Sequence, residues 1–281
     1  LAKGDPKRYM DQRSKLGAHV SVVRAKLVRT IMGMQNRDWF GGVEQGRLDA
    51  KRLVSAAAGK STVFKRREDR PEIDTAVTIM VDLSGSMCGT KVQVANQCAI
   101  VLAEALEPTG AAVEVMGFTN AFNMPHARMD ETIFRVETLD NIVFKSFDET
   151  LVSARGAMAT IVRFADGNNT DGELIQVGWD RLRKRPETRK IMLVLSDGAP
   201  CAFRGRGAGC YRSHLEKVVR EIEAKAKVVG IGIRTDSVDE FYTNSVCVSD
   251  VSELSGVALT KLAECLIGER GAARITGRAA A

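Results

Sequence analysis

From Ile73 to Leu266, short apolar runs rich in β-branched residues alternate with amphipathic stretches of helical period, and no feature limits the fold more than this alternation. The runs Thr75–Val81, Ala112–Phe118, Lys190–Leu195 and Val228–Ile233 read as buried strands, because they are mostly apolar rather than apolar on alternate residues. Helices are expected at Lys91–Leu106, near Thr150–Phe164, and at Gly172–Arg185, Tyr211–Lys225 and Val251–Leu266, with a less regular stretch between Phe118 and Asp148. Parallel neighbours need long crossover connections that cover the sheet. The pattern therefore predicts an α/β fold with a mostly parallel central sheet and helices on both faces. At 281 residues and 44% hydrophobic, the chain can bury such a core.

Residues 1–72 have a different character. Tyr9, Leu16, Val20, Val23, Leu27, Ile31 and Met34 recur mostly at steps of three and four, the apolar stripe of an amphipathic helix that needs a surface to lie on. A turn is expected at Asp38–Gly42, a short helix around Leu48–Ala58 and a charged connector at Lys65–Arg70, closed by Pro71. This segment carries 17 Lys and Arg against 8 Asp and Glu, so the rest of a chain of net charge +6 is acidic. The basic residues are scattered without an aromatic platform, which points to a solvated face or an acidic protein partner and argues against nucleic acid. The organisation predicted is a helical basic extension (1–72), an α/β domain (73–268) and a tail (269–281).

No apolar run approaches the roughly 20 residues needed to cross a bilayer, and Leu1–Arg13 is too charged for a secretion signal. A cytoplasmic location is the expectation. Because the chain begins with Leu, a fragment or processed form of a longer protein is also expected. Cysteines at 88, 98, 201, 210, 247 and 265 contain no Cys-x-x-Cys pair, so free thiols are predicted and structural zinc is not, although Cys201 and Cys210 flank one loop and can pair under oxidising conditions. His19, His126 and His214 show no ligand spacing and read as structural or exposed.

In an open α/β sheet, ligands bind where loops leave the carboxyl ends of the strands. Two such loops carry matching chemistry. Asp82-Leu83-Ser84-Gly85-Ser86 follows the strand ending at Val81, and Ser196-Asp197-Gly198 follows the strand ending at Leu195. Mg2+ takes six oxygens at about 2.1 Å and keeps some of its water, so two carboxylates and two hydroxyls suit it. Gly85 is expected to permit a tight turn. The competing reading, in which the serines only cap a helix and Asp82 holds loop amides, does not account for the second acidic loop.

These residues resemble the metal-ion-dependent adhesion site (MIDAS) of von Willebrand factor A domains. The resemblance implies a Rossmann-like fold with Asp82, Ser84, Ser86 and Asp197 around Mg2+, Mn2+ or Ca2+, the serines directly and the aspartates often through water. It also implies a middle-loop ligand from Asn168-Asn169-Thr170-Asp171-Gly172-Glu173, either Thr170 or Asn169. A shell partly of neutral hydroxyls leaves the ion open to a partner's carboxylate. Asp166, Asp171 and Glu173 are candidates for orienting its waters, with helix capping an equal alternative for Asp171.

A narrower resemblance covers most of the chain. Gly46-Arg-Leu-Asp-Ala-Lys-Arg-Leu53, Thr62-Val-Phe-Lys65, Met116-Gly-Phe-Thr119, Asn169-Thr-Asp-Gly-Glu173, Arg189-Lys-Ile-Met-Leu-Val-Leu-Ser-Asp-Gly-Ala-Pro200 and His214-Leu-Glu-Lys-Val-Val-Arg-Glu-Ile-Glu223 are similar to the C-terminal half of CobT. CobT is the large subunit of the aerobic, ATP-dependent cobaltochelatase of cobalamin biosynthesis. The resemblance implies a non-catalytic subunit that docks an AAA+ ATPase, with a third subunit holding the tetrapyrrole. Neither a Gly-x-x-x-x-Gly-Lys loop nor a catalytic triad is present, so ATP hydrolysis is assigned elsewhere. The family's long N-terminal region is absent, and the loop Cys201–Cys210 is rich in Gly and Arg where a Ser- and Asn-containing loop is expected. An adaptor that couples an AAA+ ATPase to a different client is therefore the alternative, and a secreted adhesion domain a third. Arg204, Arg206 and Arg212 either grip an acidic partner or are solvated. Trp39 and Phe40 resemble an anchor that pins the extension to the domain, with core packing the preferred reading.

Overall fold

The computed structural model describes residues 4–34, 39–52, 61–67, 74–121, 138–198, 200–201, 208–254, 256 and 260. Its six-stranded central sheet is built on β4 (Thr75–Asp82), whose eight residues are all buried. β5 (Ala112–Ala121) and β7 (Arg189–Ser196) flank it in parallel, and β8 (Lys227–Ile233) and β9 (Ser245–Val248) extend the β7 side, also in parallel. Beyond β5 the edge strand β6 (Thr138–Lys145) runs antiparallel. The four strands expected from composition are all present. β6 and β9 are additions: the first falls in the stretch read as irregular, where Asp140 and Asn141 lower strand propensity, and the second is only four residues long.

Successive residues of β4 face opposite sides, and each side has its own core. Val77, Ile79 and Val81 pack with α2 (Thr90–Leu106), α3 (Leu151–Met158) and α6 (Val251–Leu254); Ala76 and Met80 pack with α4 (Asp171–Leu182) and α5 (Ala208–Glu223). The helix expected over Thr150–Phe164 stops at Met158, and a 3-10 turn follows at Ile161–Arg163. Thr160 sits at the break, its hydroxyl donating to the Ala157 carbonyl at 2.6 Å and competing with helix continuation. Of the last expected helix, the described part is Val251–Leu254 with Thr260, and the rest lies outside the described residues.

The expected N-terminal helix is α1 (Pro6–Met34), and the surface it needs is α2. α2 is buried on most of its surface because it lies between the sheet and α1. Tyr9, Leu16, Val23 and Leu27 join the same core as β4. The Tyr9 hydroxyl donates to Glu104 at 3.0 Å, and Arg13 Nε reaches the same carboxylate oxygen at 2.9 Å. Burial and then the Glu104 charge push the Tyr9 hydroxyl well above its ordinary pKa, so it stays a donor. Tyr9→Phe is expected to lower stability by about 1 kcal/mol in denaturant unfolding, because Arg13 still satisfies Glu104.

The rest of the extension corrects the finer sequence reading. Trp39–Val43 (β1), Arg47–Leu48 (β2) and Phe64–Arg67 (β3) form an antiparallel sheet in the order β1-β3-β2. Of the turn expected at Asp38–Gly42, the described part is instead the strand Trp39–Val43, with an irregularity between Gly41 and Val43 where Gly42 takes φ 87°. Its glycines serve a bulge. The segment read as a short helix begins as β2 and a 3-10 turn at Ala50–Arg52, and the charged connector is in part the central strand β3. The side chains of Trp39 and Phe40 lie outside the described set, as do His126, Arg204, Arg206 and Cys265. Among the described residues no helix is long and apolar enough to cross a membrane. Cys88, Cys98, Cys201, Cys210 and Cys247 are free.

Candidate metal centre

Sheet order reverses at β4: the chain adds β5 and β6 on one side, then returns to place β7 on the other. The loops after β4 and β7 leave adjacent parallel strands at the same edge, which brings Asp82 and Asp197 together. The first loop turns through a 3-10 turn, Gly85–Met87, a conformation open to any residue. Gly85, expected to permit a tight turn, takes no positive φ there; the positive-φ glycine is Gly89 (φ 81°), just ahead of α2.

Ser84 Oγ and Ser86 Oγ are 2.9 Å apart, and Ser86 Oγ donates to Asp197 Oδ1 at 2.8 Å. Asp82 is fully buried, its Oδ1 accepting from Ser84 N at 2.8 Å and its Oδ2 from Ser196 Oγ at 2.8 Å. Burial, and to a lesser degree the Asp197 charge, lift the Asp82 carboxyl to about 6. Four of the five residues named from sequence thus converge. The middle loop behaves differently: Thr170 Oγ1 donates to Asn120 Oδ1 at 3.2 Å, while the neighbouring Asn169 points its amide at Asp82 Oδ2, 3.3 Å away. Backbone pairing explains the choice. Asn120 N donates to Asn168 O, and Asn169 and Cys201 exchange two 2.8 Å backbone bonds, which clamps the loop with Asn169 toward Asp82.

Asp171, the first residue of α4, is a third buried carboxylate. Burial and the Asp82 charge push it well above the usual carboxylate range, and its Oδ1 has no hydrogen-bond partner among the described residues. Two hydroxyls facing each other, clustered carboxylates held up by burial and an orphaned buried oxygen are the donor set of a hard divalent cation, so the residues fit such an ion. Among the described residues no group of three or more His, Cys, Asp or Glu side chains is placed to hold a metal ion by itself, so the serine hydroxyls are required members of the set. Lys91 was not foreseen; its Nζ lies 2.5 Å from Asp197 Oδ2. Its one legible signal is position, on the first turn of a helix that starts just after Ser86. Arg212, considered for partner capture, is bonded to Glu240 and lies over the Phe241 ring.

The loops depend on one close approach. Gly167 O accepts from Gly85 N at 2.7 Å, and a Cβ at Gly167 would stand 2.4 Å from the Asn120 carbonyl oxygen. Gly167→Ala is expected to lose about 1–3 kcal/mol in denaturant unfolding and to weaken ion binding, because backbone must move to admit the methyl group.

Fold and loops together define a von Willebrand factor A-type domain. The chain belongs to the CobT family: the model described as "Cobalamin biosynthesis protein CobT VWA domain" matches residues 63–268. It is also similar to the uncharacterized protein YojO of Bacillus subtilis (strain 168), 25% identical over 231 residues, which make up 79% of this chain and 35% of that protein. It thus spans about a third of the curated relative's length. Among solved structures, the PilB minor pilin from Streptococcus sanguinis superposes with a TM-score of 0.50 at 13% identity, over 73% of this chain and 65% of its own. Proximal thread matrix protein 1 from the mussel byssus, with a zinc-occupied MIDAS motif, gives 0.48 at 14% identity over 69% and 48%.

Proposed function

We propose that this chain is a non-catalytic CobT-like subunit of an ATP-dependent cobaltochelatase of cobalamin biosynthesis, holding Mg2+ at a MIDAS and docking an AAA+ ATPase through it. The observation that carries the reading is the convergence of Ser84, Ser86, Asp82 and Asp197 at the switch point of the sheet, in a chain of the CobT family. Ser84 and Ser86 would hold the ion directly. Asp82, fixed by Ser196 and Ser84, and Asp197, fixed by Ser86, would hold it directly or through water. The middle-loop place stays between Thr170, whose hydroxyl donates to Asn120 and keeps its lone pairs, and Asn169, whose amide oxygen accepts from Cys201 N while its nitrogen faces Asp82. When bound, the ion supplies a Lewis-acid contact for a carboxylate; Mn2+ or Ca2+ suits the same oxygens. The chain's own part is to hold those oxygens on a rigid edge and to carry the partner's motion into the sheet. A third subunit would present the tetrapyrrole, and the assembly would work in the cytoplasm.

The test is capture of the matching AAA+ ATPase by this chain in Mg2+, in EDTA and with Ser86→Ala. Capture that needs both the ion and Ser86 supports the joint; capture indifferent to both places docking elsewhere and overturns it. The Gly- and Arg-rich loop Cys201–Cys210 departs from the expected CobT loop and favours a second reading, an adaptor between an AAA+ ATPase and another client. Reconstituted cobalt insertion separates the two.

A further inference from the structure

We infer that Lys91 is a tethered cation that occupies Asp197 in the ion-free protein and competes with the divalent ion, setting how tightly the site holds it. This rests on the metal-binding reading above and adds a residue to which that reading gives no role. Asp197 has both oxygens committed before any ion arrives: Oδ1 accepts from Ser86 Oγ at 2.8 Å, and Oδ2 lies 2.5 Å from Lys91 Nζ. Asp82 and Asp171 lie near Asp197, and among the described residues Lys91 is the cation ion-paired to Asp197. Its position on the helix is otherwise unfavourable. Lys91 is the second residue of α2, in a first turn that has no acidic residue, where the helix dipole disfavours a positive charge. The local carboxylates, and not the helix, account for a cation there.

The pair is also built for exchange. The Asp197 side chain is 5% exposed and fixed by Ser86, whereas that of Lys91 is 34% exposed at the end of a flexible four-carbon stem. The ammonium can leave for water while the carboxylate stays. An ion drawing on Asp197 must then displace it or share Oδ2 with it, so binding is weakened by the strength of the Lys91 contact. The consequence is a site that takes an ion weakly alone and firmly once a partner adds a carboxylate, because the added ligand outweighs the internal competitor.

Titration calorimetry of the 281-residue chain with Mg2+ and with Mn2+ tests this. Lys91→Met, which keeps the stem and removes the charge, is expected to bind both ions about tenfold more tightly than wild type at fixed ionic strength. Lys91→Arg keeps the charge and should remain within about threefold of wild type. Thermal melts in EDTA give a second measurement, in which Lys91→Met should melt below wild type because Asp197 loses its counter-cation. Lys91→Gln repeats the comparison should the Met variant fold poorly. Equal or weaker ion binding by folded Lys91→Met would overturn the inference and make Lys91 a support for Asp197. Absence of binding in wild type and variant alike would overturn the metal reading, and this inference with it.

Discussion

Ser86→Ala is expected to reduce Mg2+ affinity by at least about a hundredfold and to abolish the ion's protection against heat. Ser86 stands between the two loops, 2.9 Å from Ser84 Oγ and 2.8 Å from Asp197 Oδ1, so its hydroxyl is both a ligand and the brace that aims Asp197. Loss of a bracing partner alone costs metal sites about 10- to 100-fold, and losing the ligand adds to that. In wild type, free Mg2+ at about a hundred times the dissociation constant should stabilise the fold by about 2.7 kcal/mol. For a chain of this size the melting temperature then rises by about 5 °C. The variant should show no rise, and an unchanged melt in EDTA would locate the loss at the ion. A variant that keeps the full Mg2+ shift would remove Ser86 from the site.

The same measurement carries a pH signature. Asp82 is lifted to about 6 by burial and by Asp197, above its ordinary value of 3.8. A raised carboxyl favours its neutral form in the folded chain, so the associated stability is present below about pH 4 and is lost as pH rises through about 6. An ion needs the anion. The stabilisation by Mg2+ should therefore be larger at about pH 7.5 than at about pH 5, which melts at the two pH values will show.

How far the sequence carried the structure depended on whether a feature was local. Strands β4, β5, β7 and β8 are mostly apolar on both faces because both faces of the sheet are covered, and that reads directly from composition. β6 is half-buried and polar at Asp140 and Asn141, so its pairing with β5, a non-local contact, decides its state. α1 was visible as a stripe, but the surface beneath it was not named. α2 gave no simple signal for it, because Asn96 and Glu104 are polar and are covered only through their contacts with Gln12, Tyr9 and Arg13 of α1.

The site divides in the same way. Asp82, Ser84, Ser86 and Asp197 were legible because each sits at the end of a recognisable strand. Asn169 and Thr170 are neighbours, and their opposite orientations are set by backbone bonds to Asn120 and Cys201 from distant segments. No spacing rule separates them. Lys91 pairs with a residue 106 positions away, which leaves no local trace. Asp171, left open between capping and a supporting role, stands instead as a buried carboxylate beside Asp82.

Glu107→Ala is expected to destabilise the fold by about 3 kcal/mol. Lys145, 1% exposed, places Nζ 2.8 Å from the Val113 carbonyl and 3.1 Å from Glu107, joining the end of β6 to the end of α2. Glu107 also accepts from Leu151 N at 2.9 Å, so it holds the first residue of α3 as well. Removing Glu107 strands a buried ammonium with only carbonyl oxygens, and breaking a buried pair from one side costs about 3–5 kcal/mol; partial exposure of Glu107 places this case at the low end. Lys145→Met removes the charge that needs compensation, keeps the volume and should cost only about 1 kcal/mol, for the carbonyl left without its donor. The double variant should then be milder than the sum of the two, since Glu107→Ala no longer isolates a charge. Denaturant unfolding of the three proteins measures this, and equal losses from both single changes would show that the pair does not act as a unit. Because this joint lies at the far end of α2 from Lys91, Mg2+ affinity should be the same in all three.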